Sequence, residues 1–461
     1  MDIKISEVVK VTGGQVIGVL NENEAIERVS TDTRLVNQGD IFFAFTGDRF
    51  NAHDFIPQAL EKGAKHFVVS DGGRVNPAMA KKANFILVND TVTAYGDLAR
   101  FYRQKFKIPA VTVTGSSGKT TVKELAAHLL SCRWKVLKNR GTENNLIGVP
   151  KTLFQLDASH EVIVLEAGTS CPGEIERLSS IASPQVGVLT LIGASHLKGL
   201  KTIEGVREEK LKIMQKLERG GTLVVNAEDA LLKDVQSGVH KVLRVAFSKA
   251  GMSLYAEKIR TTPAGTSFLL NGEHRFETQL MGRHNVLNCL LALQCALSMG
   301  LDIPSLQRSL KEFRPVSGRL CPKNLKGIVF LDDSYNSNPH SFRAALETLK
   351  ELKTTGKKGL VCGDMLELGE DSEKWHRQMG SLIAGHSLDY VVAAGSQSKF
   401  LVEEAIQDGY HESKIFHAKD SADAARVCHT WAHSGDLVLV KGSRGMQMEK
   451  VFECFTSSST P

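Results

Sequence analysis

The residues best suited to chemistry form a short glycine loop between a predicted strand and a predicted helix. The apolar run 110–113 leads into this loop, and a helical run, 122–130, follows it. Glycines let backbone N–H groups turn inward around phosphate oxygens, and a helix N-terminus adds the positive end of its dipole. A lysine here can reach the β- and γ-phosphates, and a threonine hydroxyl can bind Mg²⁺. The predicted ATP-binding loop consists of Thr114, Gly115, Ser116, Ser117, Gly118, Lys119, Thr120 and Thr121.

The loop departs from the general G-x-x-x-x-G-K-[ST] spacing. Val113 stands where that pattern has its first glycine, so Gly115 and Gly118 alone frame the loop. The alternative interpretation is an ordinary glycine turn before a helix. The strand–loop–helix context favours the phosphate loop.

Two further polar residues follow predicted strands. Glu166 comes directly after the apolar run that ends at Leu165, and His196 comes just after the run that ends near Leu191. Ligands gather at the carboxyl ends of strands in a doubly wound sheet, so both are expected to converge with Thr120. A carboxylate suits Mg²⁺, whereas imidazole prefers transition metals. Taken alone, an ordinary polar loop residue is the simpler interpretation of each.

Lys210 lies on an apolar stripe. Ile203, Val206, Lys210, Ile213 and Leu217 are spaced at 3, 4, 3 and 4 residues, which predicts one face of a helix. From periodicity alone, a lysine that extends its ammonium to solvent is the simpler interpretation. The alternative is a half-buried lysine with a lowered pKa, which could react as a neutral amine.

The chain that must position these residues divides into three predicted segments. Residues 1–86 mix short β-like runs with one helix, 87–312 alternate apolar strands with helices, and 313–461 do so again. Such alternation predicts an α/β fold with parallel sheets covered on both faces. The predicted strands are 40–45, 66–69, 110–113, 161–165, 186–191, 221–225, 328–331, 359–362, 390–394 and 436–440. The last residues, 456–461, are small and polar and are expected to fray.

The composition is that of an ordinary globular chain. Of its 461 residues, 42% are hydrophobic and 23% charged. Neither a membrane-spanning apolar run nor a signal-peptide layout is found, so a cytoplasmic location without membrane insertion is expected. The net charge of +6 suits anionic small substrates and is too small to indicate nucleic acid. The eight cysteines form no C-x-x-C pair, and Cys289, Cys295 and Cys362 are expected to be buried.

A family resemblance covers nearly the whole chain. The loop resembles those of the Mur ligases and the folylpolyglutamate synthetases. Residues 332–339, Asp-Asp-Ser-Tyr-Asn-Ser-Asn-Pro, resemble a motif of the MurF branch, with Ser337 in place of alanine. Residues 363–370 and 440–446 match the same branch, and 144–150 do so with Lys151 in place of a usual leucine.

The first segment resembles the uridine-nucleotide domain of MurE and MurF through residues 31–34, 39–42 and 53–55. The resemblance implies that 1–86 bind the UDP-linked substrate, that 87–312 bind ATP and that 313–461 form a Rossmann-like domain. It implies ATP-dependent ligation of D-alanyl-D-alanine to UDP-N-acetylmuramoyl-tripeptide through an acyl phosphate, in peptidoglycan precursor synthesis. The expected partners are these small molecules, and a monomer is expected.

The resemblance also implies two Mg²⁺ ions and a role for each candidate residue. Lys210 would be carbamylated by CO₂ and bind the second Mg²⁺ with Glu166 and His196, although the family's Ala-Lys-Gly-Glu is Glu-Lys-Leu-Lys here. The catalytic residues would be Lys119, Glu166, His196 and Lys210, and the metal ligands Thr120, Glu166, His196 and Lys210. Besides the loop, ATP would contact His284, Asn285, Asn288, Arg319 and Asp333. The UDP-linked substrate would contact Thr33, Arg34, Thr46, His53, Asn144 and Asn145, and D-alanyl-D-alanine would meet Tyr335, Asn336 and Asn338.

Alternatives stay open. Arg319 could be half of a surface ion pair. The chain could be a MurE-like ligase, although MurE typically has Asp-Tyr-Ala-His-Thr-Pro where this chain has residues 334–339. It could be a folylpolyglutamate synthetase, against which the uridine-type first segment argues. A nucleotide-binding regulator without turnover is disfavoured because Lys119, Glu166, His196 and Lys210 are all present.

Overall fold

The computed structural model describes residues 1–18, 23–47 and 50–456, so the end predicted to fray lies almost wholly outside the described residues. Contacts divide the chain into two compact units. The first unit comprises 1–110, 135–167 and 177–183, and the second comprises 111–134, 168–176 and 184–461. The segment boundaries given above stay predictions.

The strands, in chain order, are β1 Gln15–Ile17, β2 Val29–Ser30, β3 Ile41–Phe43, β4 Thr46–Gly47, β5 Phe50–Asn51, β6 His66–Val69, β7 Asn84–Leu87, β8 Ala110–Thr114, β9 Val136–Lys138, β10 Val162–Glu166, β11 Val186–Leu189, β12 Thr222–Asn226, β13 Lys241–Ala246, β14 Leu254–Thr262, β15 Gly265–Leu270, β16 His274–Thr278, β17 Cys321–Leu325, β18 Ile328–Asp333, β19 Lys358–Gly363, β20 Tyr390–Ala394, β21 Ile415–Ala418 and β22 Leu437–Lys441.

The helices are α1 Ile5–Thr12, α2 Ile56–Glu61, α3 Pro77–Ala80, α4 Thr91–Gln104, α5 Lys119–Leu130, α6 Gly148–Leu153, α7 Glu174–Ala182, α8 Leu197–Leu200, α9 Ile203–Leu211, α10 Arg283–Ser298, α11 Ile303–Glu312, α12 Pro339–Glu351, α13 Ser372–Ala384, α14 Ser398–Gln407, α15 Ser421–Trp431 and α16 Lys450–Thr456.

The first unit is built on a five-stranded sheet in the order β1-β7-β6-β3-β2. Only the β1–β7 pair is antiparallel. The rings of Phe67 and Phe85 stack at 4.9 Å in its core, where aromatic burial supplies much of the stability. The same unit contains β9 and β10, which pair in parallel.

The second unit contains the phosphate loop and the strands of the sheet around it. In the order β13-β12-β11-β8 they pair in parallel, as predicted for β12, β11 and β8, whereas β13 is an additional strand. Beyond β13, the strands β14, β15 and β16 continue the sheet, and their mutual pairing is antiparallel. These three strands were not predicted; in β14 exposed residues predominate after the first three, which is typical of a strand with one solvated face.

The same unit contains a six-stranded sheet in the order β17-β18-β22-β19-β20-β21. All four strands predicted for this region are present, and β17 is an added antiparallel edge strand. Successive residues point to opposite faces: Leu331 joins a core with Phe342 of α12, and Phe330 joins one with Val451 of α16. The prediction of a sheet covered on both faces is therefore confirmed here.

The helix that carries Lys210 is shorter than predicted. It ends at Leu211 and continues as a 3₁₀ turn, Lys212–Lys216. The stripe nevertheless faces the interior, and Val206, Lys210 and Ile213 are all 0% exposed. The interpretation of Lys210 as a lysine that reaches solvent is therefore wrong. Cys289, Cys295 and Cys362 are buried, as predicted.

Among the described helices, none combines the length and the apolar character that crossing a membrane requires.

Candidate active site

The phosphate loop begins where β8 ends and closes on the N-terminus of α5, so the predicted strand–loop–helix arrangement is confirmed. Gly118 caps the helix with φ +83°, a conformation that favours glycine. A Cβ there would lie 2.6 Å from Oδ1 of Asn288. A Cβ on Gly115 would lie 1.9 Å from Oγ1 of Thr190. Sterics therefore require glycine at both positions.

The loop is braced by the segment that follows β11. The Ser116 N–H donates to the Leu191 carbonyl at 2.7 Å, and the Thr190 hydroxyl donates to the Ser117 carbonyl at 2.5 Å. The Ser116 hydroxyl donates to the carbonyl of Gly193 and accepts from its N–H, both at 3.0 Å. Lys119 folds over its own loop, with Nζ 2.8 Å from the Gly115 carbonyl. This bracing holds the loop in shape before any nucleotide arrives.

The loop opens on a pocket formed within the second unit. Four groups of residues line it: the loop with the segment that follows β11, Asn226 at the end of β12, the start of α10, and residues beyond position 318. The predicted ATP contacts Ser117, Gly118, Thr121, His284, Asn285, Asn288, Arg319 and Asp333 are all in its walls, as is the predicted dipeptide contact Asn336. The structure thus brings together residues that are more than 200 positions apart.

The start of α10 presents a preorganised row of polar side chains. The Asn285 amide donates to the Met281 carbonyl, and the Asn288 amide donates to Oδ1 of Asn285, both at 2.9 Å. Burial, together with the positive charge of Lys441, lowers the pKa of His284 to about 4. His284 is therefore a neutral imidazole at pH 7.

Arg319 reaches the phosphate loop from the third segment. Its Nη2 lies 3.4 Å from the Thr120 hydroxyl, and its guanidinium stands over the Tyr335 ring, 4.2 Å from the centroid. A cation held over an aromatic face and beside a phosphate loop is placed to meet an anion. The geometry favours the predicted nucleotide contact over a surface ion pair.

Asp333 forms a buried ion pair with Lys441. Lys441 Nζ lies 2.5 Å from Asp333 Oδ2 and 3.1 Å from the Asn336 carbonyl, while Asp333 Oδ1 accepts from the Leu320 N–H. Burial raises the pKa of Asp333 and lowers the pKa of Lys441. Desolvation thus opposes both charges, and their mutual contact retains them.

The predicted dipeptide contacts have local partners. Tyr335 supports Arg319, and Asn336 Oδ1 accepts from the Ser337 N–H. Asn338 caps α12, since its Oδ1 accepts from the Ser341 N–H at 2.9 Å. A contact of these residues with a dipeptide stays a prediction.

The predicted metal ligands belong to both units. Glu166 ends β10 and is 2% exposed, and its Oε1 accepts from the Asn144 amide at 2.7 Å. In the second unit, His196 has φ +54° and its Nδ1 lies 2.9 Å from Oε2 of Glu367, while Lys210 is fully buried in α9. The described residues contain no cluster of three or more His, Cys, Asp or Glu side chains arranged for a metal. The convergence of these ligands with Thr120 stays a prediction.

Three predicted UDP contacts are exposed or partly exposed. Thr33 starts a 3₁₀ turn, and Arg34 grips Asp32 with Nε at 2.9 Å and Nη2 at 2.6 Å. That guanidinium lowers the pKa of Asp32 to about 2. The Thr46 hydroxyl lies 3.4 Å from Asn51 Oδ1.

The other three predicted UDP contacts have partners inside the chain. His53 is 3% exposed; its Nε2 accepts from the Ser70 N–H at 3.0 Å, and its Nδ1 lies 2.8 Å from Asn51 Oδ1. Asn145 Oδ1 accepts from the Gly148 N–H at 2.8 Å at the start of α6. Asn144 bonds to Glu166. These three residues therefore form hydrogen bonds within the protein, and their contact with substrate stays a prediction.

Sequence reasoning missed several residues of the site. The resemblance assigns Lys441 no role of its own, although a lysine that ends an apolar strand of a parallel sheet is itself a signal. His340 lines the pocket and faces Gly193, where a Cβ would lie 2.2 Å from its ring. No spacing in the sequence indicates that contact, because it joins the loop after β11 to the distant first turn of α12.

Comparison with known proteins agrees with this geometry. Family models match in three places: the Mur ligase family catalytic domain at 25–103, the Mur ligase middle domain at 113–296, and the Mur ligase glutamate ligase domain at 318–444. The UDP-N-acetylmuramoyl-tripeptide–D-alanyl-D-alanine ligase of Bacillus subtilis is 34% identical over 97% of this chain and 96% of its own length.

Solved structures give the same result. MurF from Acinetobacter baumannii superposes with a TM-score of 0.87 at 29% identity, covering 97% of both chains. MurF from Thermotoga maritima, solved with ADP, gives 0.83 at 28% identity, covering 93% of this chain and 96% of that one. The chain therefore belongs to the Mur ligase family and is an ATP-dependent amide-bond ligase. Within the family its likeness is to the MurF type, as predicted.

Proposed function

We propose that this enzyme joins D-alanyl-D-alanine to UDP-N-acetylmuramoyl-tripeptide, with ATP converted to ADP and phosphate, and so supplies the UDP-linked pentapeptide for peptidoglycan. The observation that carries the proposal is the phosphate loop facing Arg319 and the Asp333–Lys441 pair across one pocket. The names of the curated relatives supply the substrates. ATP supply makes the cytoplasm the proposed location, and a monomer is proposed.

The first step makes a reactive carbonyl. A carboxylate is a poor electrophile, so the terminal carboxylate of the tripeptide attacks the γ-phosphorus; a carboxyl O–P bond forms, the bond to the β-phosphate breaks, and ADP leaves. Lys119 and Arg319 bring two positive charges to the phosphate loop, where they offset the charge that builds on the phosphate oxygens. The braced loop keeps the γ-phosphate in position for attack.

Magnesium and the carbamate belong to the proposal. Glu166 is a buried carboxylate that accepts a hydrogen bond from an amide, and Thr120 has a hydroxyl. Each therefore offers an oxygen of the kind that a hard cation such as Mg²⁺ binds. Thr120 would hold one ion, and Glu166, His196 and carbamylated Lys210 a second. Bound Mg²⁺ would supply charge neutralisation at the reacting oxygens.

The second step forms the amide. The dipeptide amine attacks the acyl carbon, the carbonyl–oxygen bond to phosphate breaks, and phosphate leaves, while the amine gives up a proton. The low pKa of His284 makes it a poor acceptor at pH 7. His196 could accept this proton only in a state in which Nε2 does not bind Mg²⁺, because Nδ1 already contacts Glu367.

The proposal is tested by phosphate release. The protein is mixed with ATP, Mg²⁺, the UDP-linked tripeptide and D-alanyl-D-alanine, and each component is omitted in turn. Release that needs both peptides, with a pentapeptide found by mass, supports the proposal. Lys119→Ala should abolish release, whereas Lys249→Ala, an exposed lysine outside the pocket, should leave it unchanged.

Other outcomes favour the alternatives. Turnover with a single amino acid in place of the dipeptide would favour a MurE-like role, and turnover with a folate and glutamate would favour a folylpolyglutamate synthetase. ATP binding without turnover on any acceptor would favour a regulator.

A further inference from the structure

A side-chain amide, and not a neighbouring strand, pairs with the backbone of Glu166. Strands β9 and β10 pair in parallel, with Val162 opposite Val136 and Val164 opposite Lys138. Backbone pairing ends there because β9 ends at Lys138. The next residue, Asn139, is 0% exposed and continues the pairing with its side chain.

The Asn139 amide behaves as a peptide group. Its Oδ1 accepts from the Glu166 N–H at 2.9 Å, and its Nδ2 donates to the Glu166 carbonyl at 3.0 Å. Nδ2 also donates to the Glu143 carbonyl at 2.8 Å. One buried amide therefore fixes the backbone of Glu166 and the backbone of the loop 140–145 together.

That loop returns to the same carboxylate. Asn144 follows Glu143, and its Nδ2 donates to Glu166 Oε1 at 2.7 Å. The C-terminal end of the loop is fixed to the start of α6, where Asn145 Oδ1 accepts hydrogen bonds from the Ile147 and Gly148 N–H groups. The backbone of Glu166 is thus held by the amide of Asn139, and its carboxylate by the amide of Asn144.

We propose that Asn139 and Asn144 are positioning residues that aim the Glu166 carboxylate, and that Asn144 does this instead of contacting the UDP-linked substrate. The inference rests on the proposed function, in which Glu166 binds the second Mg²⁺. Groups that orient a metal ligand commonly change metal affinity 10- to 100-fold when removed.

The test is Asn144→Leu, which keeps the side-chain size and removes the amide donor. Mn²⁺ binding is followed by electron paramagnetic resonance with a non-hydrolysable ATP analogue present and no peptide substrate. We expect affinity at one Mn²⁺ site to fall about 10-fold. In separate kinetics, the KM for the UDP-linked tripeptide should change less than about twofold, excess Mg²⁺ should restore much of kcat, and Asn144→Gln should recover part of the Mn²⁺ affinity.

Asn139→Asp provides a second arm. It keeps the Oδ1 acceptor and replaces the donor by an oxygen facing two carbonyls, so Mn²⁺ affinity should again fall. Circular dichroism monitors folding. Asn84→Leu is the matched control, because it removes a buried amide that bonds to His66 in another part of the first unit. It should leave Mn²⁺ binding unchanged.

Unchanged Mn²⁺ affinity in Asn144→Leu overturns the proposal, and a KM for the UDP-linked tripeptide raised 10-fold or more would then identify Asn144 as a substrate contact. The two proposals fail separately. If the wild-type protein binds Mn²⁺ but does not ligate the dipeptide, the proposed function is wrong while the Mn²⁺ comparison still decides the positioning role.

Discussion

Replacing Lys441 by methionine tests whether the buried ion pair holds the third segment together. The change removes the ammonium that lies 2.5 Å from Asp333. The side chain of Lys441 is 1% exposed and that of Asp333 is 15% exposed, so the carboxylate is left largely buried without its partner. Breaking a buried pair by removing one partner costs about 3–5 kcal/mol. We expect about 3 kcal/mol, because Asp333 keeps the Leu320 N–H and faces an open pocket.

Urea denaturation followed by tryptophan fluorescence measures this cost, since Trp375 and Trp431 both lie in the third segment. The double variant Lys441→Met with Asp333→Asn should recover most of the loss, because no unpaired charge is left buried. The control is Arg426→Met, which breaks an ion pair whose arginine is 77% exposed and should cost less than about 1 kcal/mol. Additive losses in the double variant would refute the reasoning.

Three further predictions follow from the site. Lys210→Ala should abolish phosphate release, and an added small carboxylate such as acetate should restore part of it if a carbamate is the functional group. Gly118→Ala should raise the KM for ATP at least 10-fold, because φ +83° costs a non-glycine residue about 1–2 kcal/mol and the new methyl would meet Asn288; an unchanged KM would contradict the steric argument. His284 binds a proton in the unfolded chain below about pH 6.5 but in the folded protein only near pH 4, so stability should fall as the pH drops through that window, by at most about 1.4 kcal/mol per pH unit. His284→Gln should flatten this dependence in urea titrations at pH 7 and pH 5.

The predicted strands and the phosphate loop could be found from sequence because their signals are local. Continuous apolar runs indicate buried parallel strands, and the glycine spacing before α5 reflects φ angles that few other residues adopt. The resemblance added distant partners such as Arg319 and Asp333. Local patterns alone would not have placed either in the pocket beside the loop, because Arg319 lies 199 residues from Thr120 along the chain and Asp333 lies further still.

The remainder depends on contacts without a local signature. The strands from β14 to β16 show no regular alternation of exposed and buried residues, since β14 has no buried residue after its first three and β15 has no exposed one, so the local signal for a strand is weak. Burial of Lys210 reverses what periodicity favoured, because the stripe around it, which includes Val206 and Ile213, is removed from solvent. Asn144 and His53 show a further limit, since a motif gives the residue type at a position but does not distinguish a substrate contact from an internal hydrogen bond.

The absence of a side chain at Gly193 bears on how tightly ATP cleavage is coupled to amide-bond formation. It accepts a hydrogen bond from Ser116 of the phosphate loop and donates one back, and His340 lies close to its Cα, so a residue without a side chain lies between Ser116 and the start of α12. A methyl group at this position would push the His340 ring away from the loop. ATP could still bind, because the other hydrogen bonds of the loop would hold its shape. Such an enzyme would still spend ATP, yet water would reach the activated carbonyl, and the ratio of phosphate released to amide bonds formed would rise above one.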